Sequence, residues 1–181
     1  MPEPDGLCAR LCRSISPRQE ESMSQNLLNK TTATKENGLT EEERDTFLAR
    51  KLDGHLSTNR EDGWWHVTPI WYLWENGRFY HTLGNSRRHL KNLRRDPHAT
   101  LCVDVDPRLE EGLQAGTRSV VCFGLAEIVE DEKLVREITD RIVFRYIGPE
   151  ASQFEEAIWF EGRTAVIITP VRWLTWDQSK G

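Results

Sequence analysis

Apolar and polar residues alternate in short blocks along most of this chain, and the period changes at a few marked places. Residues 1 to 38 show little apolar periodicity and are rich in Ser, Thr, Asn, Lys, Glu and Pro. That is the composition of a disordered tail, and Met23 inside it is a second candidate start. The folded domain is expected over 39–178. Thr40 followed by Glu43 is a capping-box pattern; Phe47, Leu48 and Leu52 give the following helix an apolar face, and Gly54 ends it. HLSTN, residues 55–59, reads as a first strand and Glu61-Asp62-Gly63 as a turn. WHVTPIWYLW, residues 65–74, reads as a second, aromatic strand. Pro69 inside it requires a strand edge, a bulge or an open ladder position. Asn76-Gly77 signals a two-residue hairpin turn of the mirror-image kind, and residues 78–82 return.

A basic helix comes next, stopped by Asp96-Pro97. ATLCVDV (99–105) and SVVCFGLAEIV (119–129) read as two more strands, separated by a polar excursion from Pro107 to Gly116. Gly124 marks a bulge or a close approach. Leu134, Val135, Ile138, Ile142 and Val143 recur at helical period, which predicts a helix over 131–146 broken by Gly148-Pro149. A short helix is expected over 150–157. TAVIIT and VRWLTW, separated or bent by Pro170, close the chain as strands. About six short strands with three or four helices predict a mainly β (α+β) domain, a small antiparallel barrel with peripheral helices.

Composition narrows the function classes. The chain has 181 residues, 38% hydrophobic and 29% charged, with a net charge of −5. A general nucleic-acid or anionic-membrane binder is disfavoured by that acidity, no apolar run approaches a membrane span, and no secretory signal is visible. The expected location is the cytoplasm. Cys102 and Cys122 read as small core residues; Cys8 and Cys12 lack further ligands nearby in sequence, so no metal site is expected.

Against this acidic background, GRFYHTLGNSRRHLKNLRRDP (77–97) is an exception. It reads as strand, glycine-containing loop and basic helix. A helix start offers spare N–H groups and the positive end of the dipole to an anion. Arg87, Arg88 and His89 crowd that first turn, where natural helices prefer acids, and Ser86 is the expected N-cap. Arg87, Lys91 and Arg94 share one side of the helix, flanked by Arg88 and Arg95, while Leu90 and Leu93 form the apolar stripe. Arg94 and Arg95 read as a solvated face. The aromatic strand puts Trp65, Val67, Pro69, Trp71 and Leu73 on one face and His66, Thr68, Ile70, Tyr72 and Trp74 on the other. That density suits a core with a Trp-rich dimer interface, or a wall for a flat cofactor. His66 and His81 are expected on neighbouring strands, as satisfied or exposed histidines, and no nucleophile elbow or triad order supports a hydrolase.

Residues 55–106, with SVVCFGLAEIVED and ITPVRWLTWD later, resemble the pyridoxamine 5′-phosphate oxidase-like split β-barrel superfamily. The resemblance spans about residues 40 to 177, and its most specific piece is the strand-loop-helix ending in NLRRDP. It implies a six-stranded antiparallel Greek-key split β-barrel that forms a homodimer, with FMN or the deazaflavin coenzyme F-420 in a groove at the dimer interface. Carried over, the cofactor phosphate would sit on Thr82, Ser86, Arg87, Arg88 and Lys91, with His89 beside them. The backbone of Thr68, Pro69, Ile70 and Trp71 would run along the ring. Members with NLRRDP often carry Lys where this chain has His89, and Gly-x-Pro where it has Gly63-Trp64-Trp65. The implied activity is hydride transfer between the cofactor and a small conjugated or heteroaromatic substrate, with non-catalytic flavin or ligand carriage as the alternative. His66, Tyr72 and His81 are candidate proton donors by location only, so no catalytic residue is assigned.

Overall fold

The computed structural model describes residues 36–106, 116–154, 158–159 and 162–180. Residues 1–35 of the expected tail over 1–38, with Cys8 and Cys12, and residues 107–115 of the polar excursion lie outside the described residues. Helix α1 (Glu41–Leu48) starts at Thr40, whose hydroxyl accepts from the Glu43 N–H while the Glu43 carboxylate accepts from the Thr40 N–H, closing the capping box. It ends at Ala49, not at Gly54. Gly54 instead opens β1 (Gly54–Asn59), where a Cβ would stand 2.9 Å from Leu101 Cδ1; the glycine makes room for core packing.

β2 (Trp65–Ile70) follows a turn at Gly63, and β3 (Leu73–Glu75) forms a hairpin with β4 (Arg78–Gly84). Asn76 and Gly77, at φ 50° and 71°, supply the two left-handed positions that the mirror-image turn requires. Helix α2 (Arg88–Arg95), β5 (His98–Val105), β6 (Arg118–Val129), α3 (Glu132–Ile147) and β7 (Arg163–Asp177) complete the domain. A 3-10 turn over Pro149–Phe154 stands where the short helix was expected; 155–157 lie outside the described residues.

The seven strands form one antiparallel sheet in the order β2-β1-β5-β6-β7-β4-β3, a half-barrel with three α-helices among the described residues. There are seven strands, not six, because the aromatic segment bends at Trp71-Tyr72. The bend breaks the alternation: Trp65, Val67 and Trp71 share an exposed face, but Tyr72 and Leu73 are both buried. Leu73 therefore leaves the face of Trp65. Pro69 sits on β2 at the edge of the sheet, the place where a sheet tolerates a residue without an N–H.

β6 and β7 are the long pair, and the other strands attach to opposite ends of it. β5 pairs with residues 118–125 of β6, whereas β4 pairs with residues 163–168 of β7. β7 is continuous through Pro170. Its register against β6 slips by one residue between Phe123 and Gly124, which leaves Val171 as the extra residue of a bulge. Gly124 lies opposite that bulge, and a Cβ there would stand 2.7 Å from both Ile168 Cγ2 and the Thr169 carbonyl oxygen.

The main core fills the concave side, with Leu48, Leu56, Leu90, Leu101, Val103, Val120, Cys122, Val166 and Ile168 all fully buried. Cys102 is half-buried. A second cluster joins α3 to the sheet through Val135, Ile138, Ile142 and Tyr146 against Leu73 and Ala165. The Leu39 N–H donates to Thr175 Oγ1, and the Asp177 N–H to the Asn37 carbonyl.

Gly124→Ala should destabilise the domain by about 1–3 kcal/mol, because the added methyl meets backbone it cannot displace. Urea unfolding should show a lower midpoint with unchanged slope; an unchanged midpoint would mean that the bulge tolerates a side chain.

Candidate functional site

The chain leaves β4 at Gly84 and turns so that the Arg87 N–H donates to the Gly84 carbonyl. Arg87, not Ser86, is the N-cap, with extended φ and ψ and no side-chain cap bond. The helix start is therefore a cationic residue followed by Arg88 at the first helical position, with no acid in the first turn. Ser86, Arg87 and Arg88 are all exposed.

The basic residues of α2 divide into two sets. Arg88, Lys91 and Arg95 face the β1–β2 turn and, with Arg60, Glu61, Asp62 and Asn92, line an open cleft of about 330 Å³. Arg60 and Asp62 pair across the turn, and the hydrogen bond from Arg60 holds the Asp62 carboxyl down to about 2. Asp62 also accepts from the Trp64 N–H. Arg95 reaches back to the Asn59 carbonyl at 2.6 Å, and buried Asn92 donates to Thr58 Oγ1 at 3.0 Å. Arg94 points away and pairs with Glu130 at 2.5 Å. The expected solvated face is thus put to structural use: Arg94 and Arg95 tie α2 to the ends of β6 and β1.

The inner side of α2 carries His89. It is 7% exposed and stacks on His66 of β2, ring centroids 6.0 Å apart. Its other neighbour is His81 of β4, 6% exposed, with the two Nε2 atoms 3.5 Å apart. β2 and β4 are not adjacent strands. The bend at Trp71-Tyr72 separates them, and His89 spans the gap. His81 Nδ1 lies 3.0 Å from the Trp71 carbonyl, which fixes that nitrogen as the donor. Burial, reinforced by the neighbouring His89, pushes His81 down to about 3. Burial, reinforced by His66 and Arg87, pushes His89 down to about 4. Among the described residues no group of three or more His, Cys, Asp or Glu side chains is placed to hold a metal ion.

Trp71 is fixed from both sides. Its indole stacks on Tyr146 of α3, centroids 4.8 Å apart and planes 6° from parallel. The Tyr146 hydroxyl accepts from the Tyr72 N–H and donates to the Leu52 carbonyl. Tyr72 is buried, and its hydroxyl donates to the Leu48 carbonyl.

The residues expected from sequence fall into three groups. Ser86, Arg87, Arg88 and Lys91 gather at the exposed start of α2. Thr68, Pro69, Ile70 and Trp71 lie along the edge strand and the bend after it. Thr82 and His89 are buried. Thr82 accepts from Arg163 through both its carbonyl, at 2.9 Å, and its hydroxyl, at 3.2 Å, so it anchors the loop from beneath. Sequence reasoning missed Arg60, Asn92 and Arg163. Arg60 precedes the expected turn and Asp62 lies within it, a charge pair that could have drawn notice; nothing local marks Asn92 or Arg163.

The family model for pyridoxamine 5′-phosphate oxidase matches residues 40–177, and the chain belongs to that family. Among solved structures, it resembles a conserved hypothetical protein, Rv2991, from Mycobacterium tuberculosis at 26% identity and TM-score 0.70, covering 83% of this chain and 92% of that one. It resembles an F420 reductase at 27% identity and TM-score 0.53, covering 71% and 94%. A FAD and heme binding protein from Mycobacterium smegmatis shares the fold at 14% identity and TM-score 0.61, covering 79% and 73%. A comparison with curated proteins gave no match. No helix of the described residues is long and apolar enough to cross a membrane.

The two depressed histidines make stability depend on pH. In the fold both rings stay neutral until about pH 4 and 3, whereas in the unfolded chain they protonate near 6.5. Their contribution is whole above about pH 6.5 and is lost as pH falls toward 4, by up to about 1.4 kcal/mol per pH unit for each ring. Urea midpoints should fall steeply over that window in the wild type and less steeply in His81→Gln. Equal slopes would show that His81 is not held neutral.

Proposed function

We propose that this protein is a flavin- or deazaflavin-dependent oxidoreductase of the pyridoxamine 5′-phosphate oxidase family. The observation that carries the reading is the basic cleft at the start of α2, set beside an edge strand that exposes Trp65, Val67 and Trp71. Arg87, Arg88 and Ser86 would hold the cofactor phosphate through charge-assisted hydrogen bonds. The outer backbone edge of β2 would meet the polar rim of the ring, since an edge strand keeps N–H and C=O groups that no neighbour pairs. When bound, the cofactor supplies hydride transfer to or from a small conjugated or heteroaromatic substrate. The chain's own part is to bind the phosphate, fix Trp71 and exclude water.

FMN is the first choice of cofactor. The deazaflavin F-420 is the alternative, supported by the likeness to an F420 reductase and by Arg60, Arg88, Lys91 and Arg95, which would suit an anionic tail. Trp64 and Trp65, 74% and 65% exposed, with Val67, are too large an apolar group to be left to solvent. We assign that face to a homodimer with the cofactor at the interface.

One observation favours the second reading, ligand carriage without catalysis. Of the candidate proton donors, Tyr72 is bonded to Leu48, and His81 to Trp71 and His89. Both are buried, so neither is free to serve a substrate in this conformation.

Purified protein should release a flavin or deazaflavin identifiable by absorbance and mass; affinity for neither would end the oxidoreductase reading. Arg87→Ala with Arg88→Ala should weaken FMN binding by at least about tenfold, the loss of one to two charge-assisted bonds. Unchanged affinity would move the phosphate elsewhere. Light scattering should give a dimer mass, and Trp65→Glu should shift it toward monomer; a wild-type monomer would refute the interface.

A further inference from the structure

Trp71 is held unlike any other exposed tryptophan of the described residues. Its indole lies flat on Tyr146, centroids 4.8 Å apart and planes 6° from parallel, whereas the exposed Trp64 and Trp65 make no ring contact. Tyr146 is 8% exposed and is itself locked. Its hydroxyl bonds the Tyr72 N–H and the Leu52 carbonyl, and the Arg145 guanidinium lies over its ring, 5.8 Å from the centroid. Arg145 in turn donates to the Ala49 and Arg50 carbonyls at the end of α1. The main chain is fixed as well: the Trp71 carbonyl accepts from His81, and the next N–H donates to Tyr146.

The stack covers one face of the indole, yet 40% of Trp71 remains exposed. A ring pinned in this way has lost its freedom before any ligand arrives, so a flat group stacking on the remaining face incurs little further ordering cost. The contact suits a planar conjugated ring, which meets the indole over a whole face in offset-stacked geometry. A saturated, puckered ring touches the same plate through a few hydrogens. The position also fits. Two rings, His81 and His89, separate the Trp71 carbonyl from the first turn of α2, so the plate and the helix start are within reach of one flavin.

We propose that Trp71 is a specificity-determining residue of the site, its free face receiving the flat conjugated ring of the substrate, and that Tyr146 is the positioning residue that holds the indole for it. The inference rests on the oxidoreductase reading given above and deepens it: planarity is the property that the site selects. A tryptophan kept for packing alone would hold the bend equally well and would not distinguish flat from puckered ligands.

The test uses the full chain loaded with FMN, or with F-420 if that alone binds, and two probes of like skeleton: the flat quinone menadione and the puckered decalin-1,4-dione. Binding is followed by calorimetry and by the Trp71 indole N–H resonance, assigned by its loss in Trp71→Phe. Menadione should shift that resonance and bind more tightly than the dione. Trp71→Leu should weaken menadione binding about three- to tenfold, the worth of one aromatic stack, and weaken the dione less. Tyr146→Leu should act in the same direction, while Tyr146→Phe, which keeps the stack, should retain the preference for menadione. Equal affinity of the two probes for the wild type, or equal losses for both in Trp71→Leu, would overturn the proposal while leaving the cofactor site standing. Affinity for neither FMN nor F-420 would overturn both. Should the leucine variants not fold, the wild type decides: an indole resonance unmoved by menadione at its solubility limit refutes the stack.

Discussion

The long β6–β7 pair is the constraint on which the rest of the molecule depends. Two strands of this length twist and cannot remain flat. The one-residue slip at Val171, opposite a position that only glycine fits, sets where the curvature falls. The flanking strands then attach at opposite ends, β5-β1-β2 against residues 118–125 of β6 and β4-β3 against residues 163–168 of β7. The offset splits the barrel. The chain must cross the split to pass from β4 to β5, and α2 is what crosses it.

That crossing explains why charged and polar side chains collect there. A helix spanning a gap buries one side and exposes its start. The buried side supplies Leu90 and Leu93 to the core and His89 and Asn92 to polar partners on three strands. Arg94 and Arg95 fasten the far end to Glu130 and Asn59. The start is left with cations and no acid. A helix start of that composition, with the positive end of its dipole, is suited to an anion.

Much of this was legible in the sequence where a local rule dominates. The capping box at Thr40, the mirror-image turn at Asn76-Gly77, the edge position of Pro69 and the close approach at Gly124 each follow from the conformational needs of one or two residues. What was not legible depended on long-range geometry. The aromatic run looks uniform, and the bend at Trp71-Tyr72 is imposed by Tyr146, far along the chain on α3. Gly54 looked like a helix stop because its use, clearance for Leu101, lies in another strand. His66 and His81 were expected on neighbouring strands; the sheet order separates those strands, and the grouping of both rings around His89 depends on where α2 lies. The cationic helix start was visible, but not that Thr82 would be held by Arg163.

The place of β7 in the sheet has a consequence for how the chain acquires its structure. The last strand to be synthesised is inserted between β6 and β4, so the β3–β4 hairpin has no sheet neighbour until residues 163–168 are available. More than half of the domain lies between β4 and β7 in sequence, a loop closure with a large entropic cost. The β1–β2–β5–β6 wing can pair as its strands emerge; the β4 wing must wait. Emergence of β7 from the ribosome is therefore the event that seats the start of α2, and a nascent chain stalled before it would carry the basic helix with half of its supports missing.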